Sequence, residues 1–238
     1  MMALPKLNTP TYELEIPSTD EKIKYRPFLV KEEKILMIAM ESQDQKQIVQ
    51  AVKDIVSACT YDKLNIDEMP MFDVEYVFLQ IRAKSVGEES KLKILCPDDG
   101  KTYAPVTVDL TKVEVQVDEG HTNKIELTKD TGLIMTYPTF KTMDSLGDTK
   151  LKSENMLDVI SSCILQIYEG KGEKVYDAKD QTKAELIEFL EQLNSTQFSE
   201  VRKFFDTMPK LKHDVKVKNP KTKKENKITL TGLNDFFA

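Results

Sequence analysis

Phe72-Asp73-Val74-Glu75-Tyr76-Val77-Phe78-Leu79-Gln80-Ile81-Arg82-Ala83-Lys84-Ser85-Val86 is the stretch whose reading decides the fold. At about 100° per residue, Phe72, Tyr76, Leu79, Ala83 and Val86 fall on one side of a helix. Val74, Val77, Phe78, Ile81 and Ser85 fall on nearly the opposite side. Asp73, Gln80 and Lys84 fill one gap between these stripes, and Glu75 and Arg82 fill the other. A helix with two opposed apolar stripes needs a packed layer on each side, so residues 73–86 are expected at the centre of the molecule. Asp73 is the expected N-cap, Gly87 the expected stop, and Glu75 with Arg82 an expected pair in a polar seam.

Upstream, Thr11–Ile16 alternates as a short strand and Ile23–Tyr25 can pair with it. Helices follow at about 31–42 and 45–59, the second opened by Asp44 and Gln47 in capping-box spacing. Downstream, residues 92–95 and 103–110 read as strands around Pro97-Asp98-Asp99-Gly100. Further strand-like pieces at 113–117, 124–127 and 133–137 make a β-rich insertion of about 91–137. Helical patterns return near Phe140, at 153–168, at 183–193 after the Thr182/Glu185 capping box, and from Ser195 or Thr196 to just before Pro209. A lysine-rich hairpin at 212–231 precedes Gly232-Leu233-Asn234-Asp235-Phe236-Phe237. The expected class is α+β: a mainly helical core around one buried helix, with antiparallel hairpins at 91–137 and 212–231. The connections are short, so one domain over 1–238 is expected, with the insertion at 91–137 and the basic hairpin at about 210–238.

The two hairpins echo each other. Leu92-Lys-Ile-Leu-Cys96-Pro97-Asp-Asp-Gly100-Lys101 has a counterpart in Val215-Lys-Val-Lys-Asn219-Pro220-Lys-Thr-Lys223-Lys224. A C-P-x-C-G turn is a zinc knuckle: thiolates at i and i+3 reach one metal, and glycine permits the tight turn. Two such knuckles supply the four ligands of a zinc ribbon. Here Cys96 alone remains, with Asp99, Asn219 and Thr222 at the other three positions. The hairpins therefore read as degenerate knuckles held by Pro, Asp and Gly turn chemistry, and no metal or other cofactor is expected.

Charged residues make up 31% of the chain, hydrophobic residues 40%, and the net charge is −6. From Met208 onward eight lysines face three acids, so a basic tail follows an acidic body. The longest clean apolar run, Ile35–Met40, is far short of a membrane span, and no signal-peptide pattern opens the sequence. Cys59, Cys96 and Cys163 are too few and too scattered for a disulfide framework and read as reduced intracellular thiols. His121 and His213 lack paired spacing. No nucleophile elbow, zincin motif, P-loop or dinucleotide fingerprint is present, so no catalytic residue is assigned and the chain is read as a non-enzyme. An unrecognised carboxylate-dependent hydrolase is one alternative. A nucleic-acid-binding module using hairpin 212–227 is another, weakened by the absence of an aromatic residue there. Candidate partner-binding residues are Lys216, Lys218, Lys221, Lys223, Lys224, Leu233, Phe236 and Phe237, with the terminal phenylalanines able either to dock on a partner or to fold back on their own hairpin.

The segment Leu64-Asn-Ile-Asp-Glu-Met-Pro-Met-Phe72 through Gly87-Glu88, followed by the Cys-Pro turn and the terminal Gly-Leu-x-x-Phe-Phe, resembles the T-even-type bacteriophage baseplate proteins. These are the hub subunits or hub assembly factors of contractile-tailed myoviruses. The resemblance covers most of the chain. It implies a role in building the baseplate hub through contacts with other phage baseplate proteins, with self-association also open to it. It implies a place in the host cytoplasm during tail assembly or in the virion tail, and it carries over no catalytic residue. Some members carry fuller cysteine knuckles, from which this chain departs at Asp99, Asn219 and Thr222.

Overall fold

The computed structural model describes residues 8–145 and 155–236. Two compact units share the chain. The first takes residues up to Ile66, then Phe72–Val115, then everything from Lys210 on. The second takes Asp67–Met71 and Gln116–Pro209.

The first unit opens with the antiparallel pair β1 (Tyr12–Glu15) and β2 (Lys22–Tyr25), with Leu14 opposite Ile23. Helices α1 (Val30–Ser42) and α2 (Gln45–Cys59) pack together. Asp44 caps α2, accepting from Lys46 N–H at 2.9 Å and Gln47 Nε2 at 3.1 Å. The decisive helix is α3 (Met71–Val86). It starts two residues before the expected N-cap, so Asp73 lies in its first turn. Its fully buried carboxylate instead accepts from Ser18 N–H at 3.1 Å and from the Ser18 hydroxyl.

Both stripes of α3 are covered. Leu79 and Ala83, with Tyr76 beside them, join a core formed by two hairpins: β3 (Glu89–Leu95) with β4 (Tyr103–Asp109), and a later pair described below. On the other side Val74, Val77, Phe78 and Ile81 are buried, and Ser85 Oγ accepts the Phe28 N–H at 2.9 Å. Val86 is the exception, 56% exposed at the helix end. Glu75 Oε1 accepts from Leu233 N–H at 3.3 Å, and Arg82 Nη1 donates to the Gly87 carbonyl at 3.4 Å.

β5 (Glu114–Gln116) ends the first pass, and the residues expected as a single β-rich insertion divide here. β6 (Lys124–Glu126) and β7 (Gly132–Met135) belong to the second unit, in an antiparallel sheet of order β6-β7-β8-β9. After α4 (Phe140–Ser145) and α5 (Met156–Ser162), the chain turns into strands β8 (Ile164–Glu169) and β9 (Lys174–Asp177). The helix expected over 153–168 thus ends at Ser162; its first residues, before Asn155, lie outside the described set. Ile164, Ile167 and Tyr168 fit a helical spacing, but β-branched and aromatic residues suit a strand bonded on both edges, and pairing with β7 and β9 decides it. Gly132 is required where β7 begins: a Cβ there would overlap the Tyr168 ring and the Ile125 carbonyl. Helices α6 (Lys183–Glu191) and α7 (Ser195–Thr207) complete the unit, both opened by capping boxes. They bury Leu186, Leu190, Val201 and Phe204 against Leu133, Met135 and Ile160.

The chain then returns to the first unit as β10 (Lys210–Lys218) and β11 (Glu225–Thr231), in a sheet of order β11-β10-β5. A 3-10 turn at Leu233–Phe236 follows. Phe236 has no solvent exposure and lies in the hairpin core, with its carbonyl accepting from Ser90 Oγ at 2.9 Å. The observed architecture is α+β, with α3 buried at the centre of its unit.

Two outcomes follow for stability. Phe236→Ala removes a fully buried aromatic and should cost about 3–5 kcal/mol in urea unfolding. Burial raises the Glu75 carboxyl from its ordinary 4.5 to about 7, against the opposing Leu233 N–H. A carboxyl with a raised folded pKa favours the fold below its unfolded pKa and loses that contribution as pH rises through the folded value. Glu75→Gln keeps the acceptor without the charge. Because Glu75 retains some solvent contact, a modest gain is expected: Tm equal to wild type at about pH 4 and higher by roughly 2–4 °C at about pH 8. Thermal melts across pH check this.

Candidate functional site

The two turns singled out by their sequence echo are built alike and meet in the first unit. In the β3–β4 turn, Gly100 N–H donates to Cys96 O at 2.9 Å, and Gly100 sits at φ 63. In the β10–β11 turn, Lys223 N–H donates to Asn219 O at 2.9 Å, and Lys223 sits at φ 65. The left-handed residue therefore occurs at the same place in both turns, as glycine in one and at a strain cost in the other. Each turn is braced from within. Asp99 accepts from Lys101 N–H at 3.1 Å, Thr102 N–H at 3.0 Å and Thr102 Oγ1 at 2.6 Å. Asn219 Oδ1 accepts from Lys221 N–H at 2.8 Å and Thr222 N–H at 3.1 Å.

Asp98 joins the turns. Its Oδ1 accepts from Asn219 Nδ2 at 2.8 Å and Asn226 Nδ2 at 3.1 Å, and its Oδ2 accepts from the Thr222 hydroxyl. Hydrogen bonds from Thr222 and Asn219, opposed by desolvation, hold the Asp98 carboxyl below its ordinary range. Asp99 is also held low, chiefly by Thr102. Cys96 is wholly buried, and burial followed by the charges of Asp98 and Asp99 pushes its thiol up, away from the thiolate a metal would need. Among the described residues, no group of three or more His, Cys, Asp or Glu is placed to hold a metal ion. Hydrogen bonds to one carboxylate thus link two turns at the place where a ribbon would put its metal.

The five candidate lysines, Lys216, Lys218, Lys221, Lys223 and Lys224, are all exposed, at the tip and along the outward face of β10. Val215 and Val217 alternate with them into the core. Lys216 approaches Glu225 at 3.9 Å, and Lys223 Nζ donates to the Pro220 carbonyl at 2.7 Å. The aromatic candidates differ. Phe236 is interior, so it is corrected from a docking residue to a core residue: it is fully buried in the core it shares with both hairpins. Leu233 packs on the same core, and Phe237 lies outside the described residues.

Sequence reasoning missed a second surface. On α1, Val30, Ile35, Met37, Ile38 and Met40 are 46–79% exposed, while Glu32 and Ala39 are buried. Met37 and Met40 also border a groove of about 480 Å³ with Phe28, Ile48, Val52 and Phe78. The signal was present in the sequence: apolar residues surround this helix rather than forming one stripe.

Among the described residues, the carboxyls whose pKa burial raises do not converge. Asp73, raised by burial, is engaged by Ser18, and Glu75 by Leu233, on nearly opposite sides of α3. In the second unit, His121 is held between Thr207 Oγ1 at 2.9 Å and the Tyr137 hydroxyl at 3.1 Å, stacked on Tyr137 and tilted against Phe204. Burial lowers its pKa, as suits a neutral packed imidazole.

Replacing Asp98 by Asn removes the charge that attracts three donors. A carboxyl with a depressed folded pKa contributes stability above its unfolded pKa and loses it as pH falls through the folded one. Asp98→Asn should therefore unfold at lower denaturant than wild type at about pH 7, with the two converging towards about pH 2. A constant gap across this range would refute the charged bridge.

No curated protein and no solved structure matches the chain. The family model described as "T4 bacteriophage base plate protein" matches residues 9–238, a span that takes in α3, both echoing turns and the Leu233–Phe236 turn. The chain belongs to this family of phage baseplate proteins.

Proposed function

We propose that this baseplate protein is a hub subunit or hub assembly factor that acts by protein–protein contact, without catalysis, in the host cytoplasm while tails are built. The observation that carries the reading is the lysine cluster at the β10–β11 tip. It stands on a hairpin whose backbone is fixed from below by Asp98, Asn219 and Asn226. A braced, exposed and predominantly basic patch, in which Glu225 stands beside Lys216, on a chain of net charge −6 suits an acidic protein surface. The remaining polar groups with shifted ionisation serve structural contacts, which supports a binding role over a reactive one.

Capture of baseplate components from infected cells by the purified chain tests this. Reversing Lys218, Lys221, Lys223 and Lys224 to Glu should weaken capture about tenfold or more and remove its salt dependence. Phage lacking the chain should fail to complete baseplates. Normal tails without it, or capture indifferent to charge reversal, would sink the proposal. Recovery of nucleic acid instead, with affinity falling steeply with salt, would favour the nucleic-acid reading.

A further inference from the structure

The exposed side of α1 has no account in the fold. A surface helix ordinarily turns its apolar stripe inward. Here the residues of α1 that are buried are Glu32 and Ala39, and the helix packs along α2. Glu32, almost wholly buried, accepts from Arg26 Nη2 at 2.9 Å and from the Leu29 N–H at 2.8 Å. Burial would raise its pKa, but these bonds outweigh that and hold it low. Opposite Glu32 and Ala39, the helical phase places Val30, Lys34, Met37, Ile38 and Glu41 on one outward side. Val30 is 79% exposed, Met37 55% and Ile38 54%, and Lys34 and Glu41 are exposed as well.

The order of these residues says what covers them. Lys34 and Glu41 lie equally far on either side of the Met37–Ile38 midpoint. Let a second α1 lie antiparallel across this face, with a two-fold axis through that midpoint. Lys34 then stands level with Glu41 of the second copy, and Glu41 with its Lys34. The methionine and isoleucine side chains meet at the axis. A single helix turned on itself therefore matches charge to opposite charge and apolar to apolar. This is the property an isologous interface requires, and two-fold dimers are the commonest closed assembly. Flexible methionine near the centre fills the irregular gap between two helices.

We propose that the chain forms a two-fold dimer through antiparallel pairing of α1, with Met37 and Ile38 at the axis and reciprocal Lys34–Glu41 ion pairs flanking it. The inference stands on α1 alone and does not rest on the hub reading, so the purified chain suffices to test it without any other baseplate component.

Sedimentation equilibrium of the wild-type chain should give twice the monomer mass at micromolar concentrations. Ile38→Asp sets two like charges at the axis and should halve that mass. Lys34→Glu should weaken the dimer about tenfold, because two weakly attractive pairs become repulsive. Adding Glu41→Lys to it should restore wild-type affinity. All these positions are exposed, and circular dichroism should confirm that each variant keeps its fold. A wild-type monomer up to about 100 µM, a dimer that Ile38→Asp leaves intact, or a double variant as weak as Lys34→Glu would each overturn the proposal.

Discussion

A helix covered on both faces has nowhere to send its carboxylates, and α3 carries two near its start. Asp73 is wholly buried, and Glu75 retains only part of its solvent contact. Leaving either without a partner would cost more than a typical hydrogen bond contributes. The surrounding chain supplies what they need: Ser18 reaches Asp73 with both its amide and its hydroxyl, and the Leu233 amide reaches Glu75. Segments from the two ends of the described chain are thereby tied to the central helix by its polar residues as well as by its apolar ones.

The turn of Leu233–Phe236 shows how one such tie sets a core. The Glu75 side chain accepts the Leu233 N–H at the N-terminal end of that turn. With the turn anchored there, the Phe236 ring enters the core between the hairpins, and Ser90 takes up the Phe236 carbonyl. Hairpin β3–β4, hairpin β10–β11 and α3 then bury a single set of side chains.

The same logic operates at the hairpin tips. A zinc knuckle pair gains its rigidity from a metal cross-link. Here one carboxylate with three donors links two turns that keep the knuckle backbone, down to a left-handed residue at matching positions. The arrangement spares the chain a buried thiolate and leaves the lysines outside the network free to point outward. The fixed tip of the basic hairpin is a consequence of that bridge.

Much of this was legible in local pattern. The two stripes of α3, the capping boxes at Thr182 and the shared design of the turns all follow from residues a few positions apart, where periodicity and turn chemistry act directly. That positions 96, 99, 219 and 222 carry Cys, Asp, Asn and Thr is a fact of the sequence itself. Other features depended on residues far apart in the chain. Ile164–Glu169 could satisfy either period, and only the flanking strands β7 and β9 made it a strand. The sequence left Phe236 able to dock on a partner or to fold back on its own hairpin, and its burial in the hairpin core is a tertiary outcome. Neither the choice of Asp98 over Asp99 as the bridge nor the outward side of α1 could be read from spacing. Each depends on which surfaces arrive next to it, and that is settled by packing between segments rather than within them.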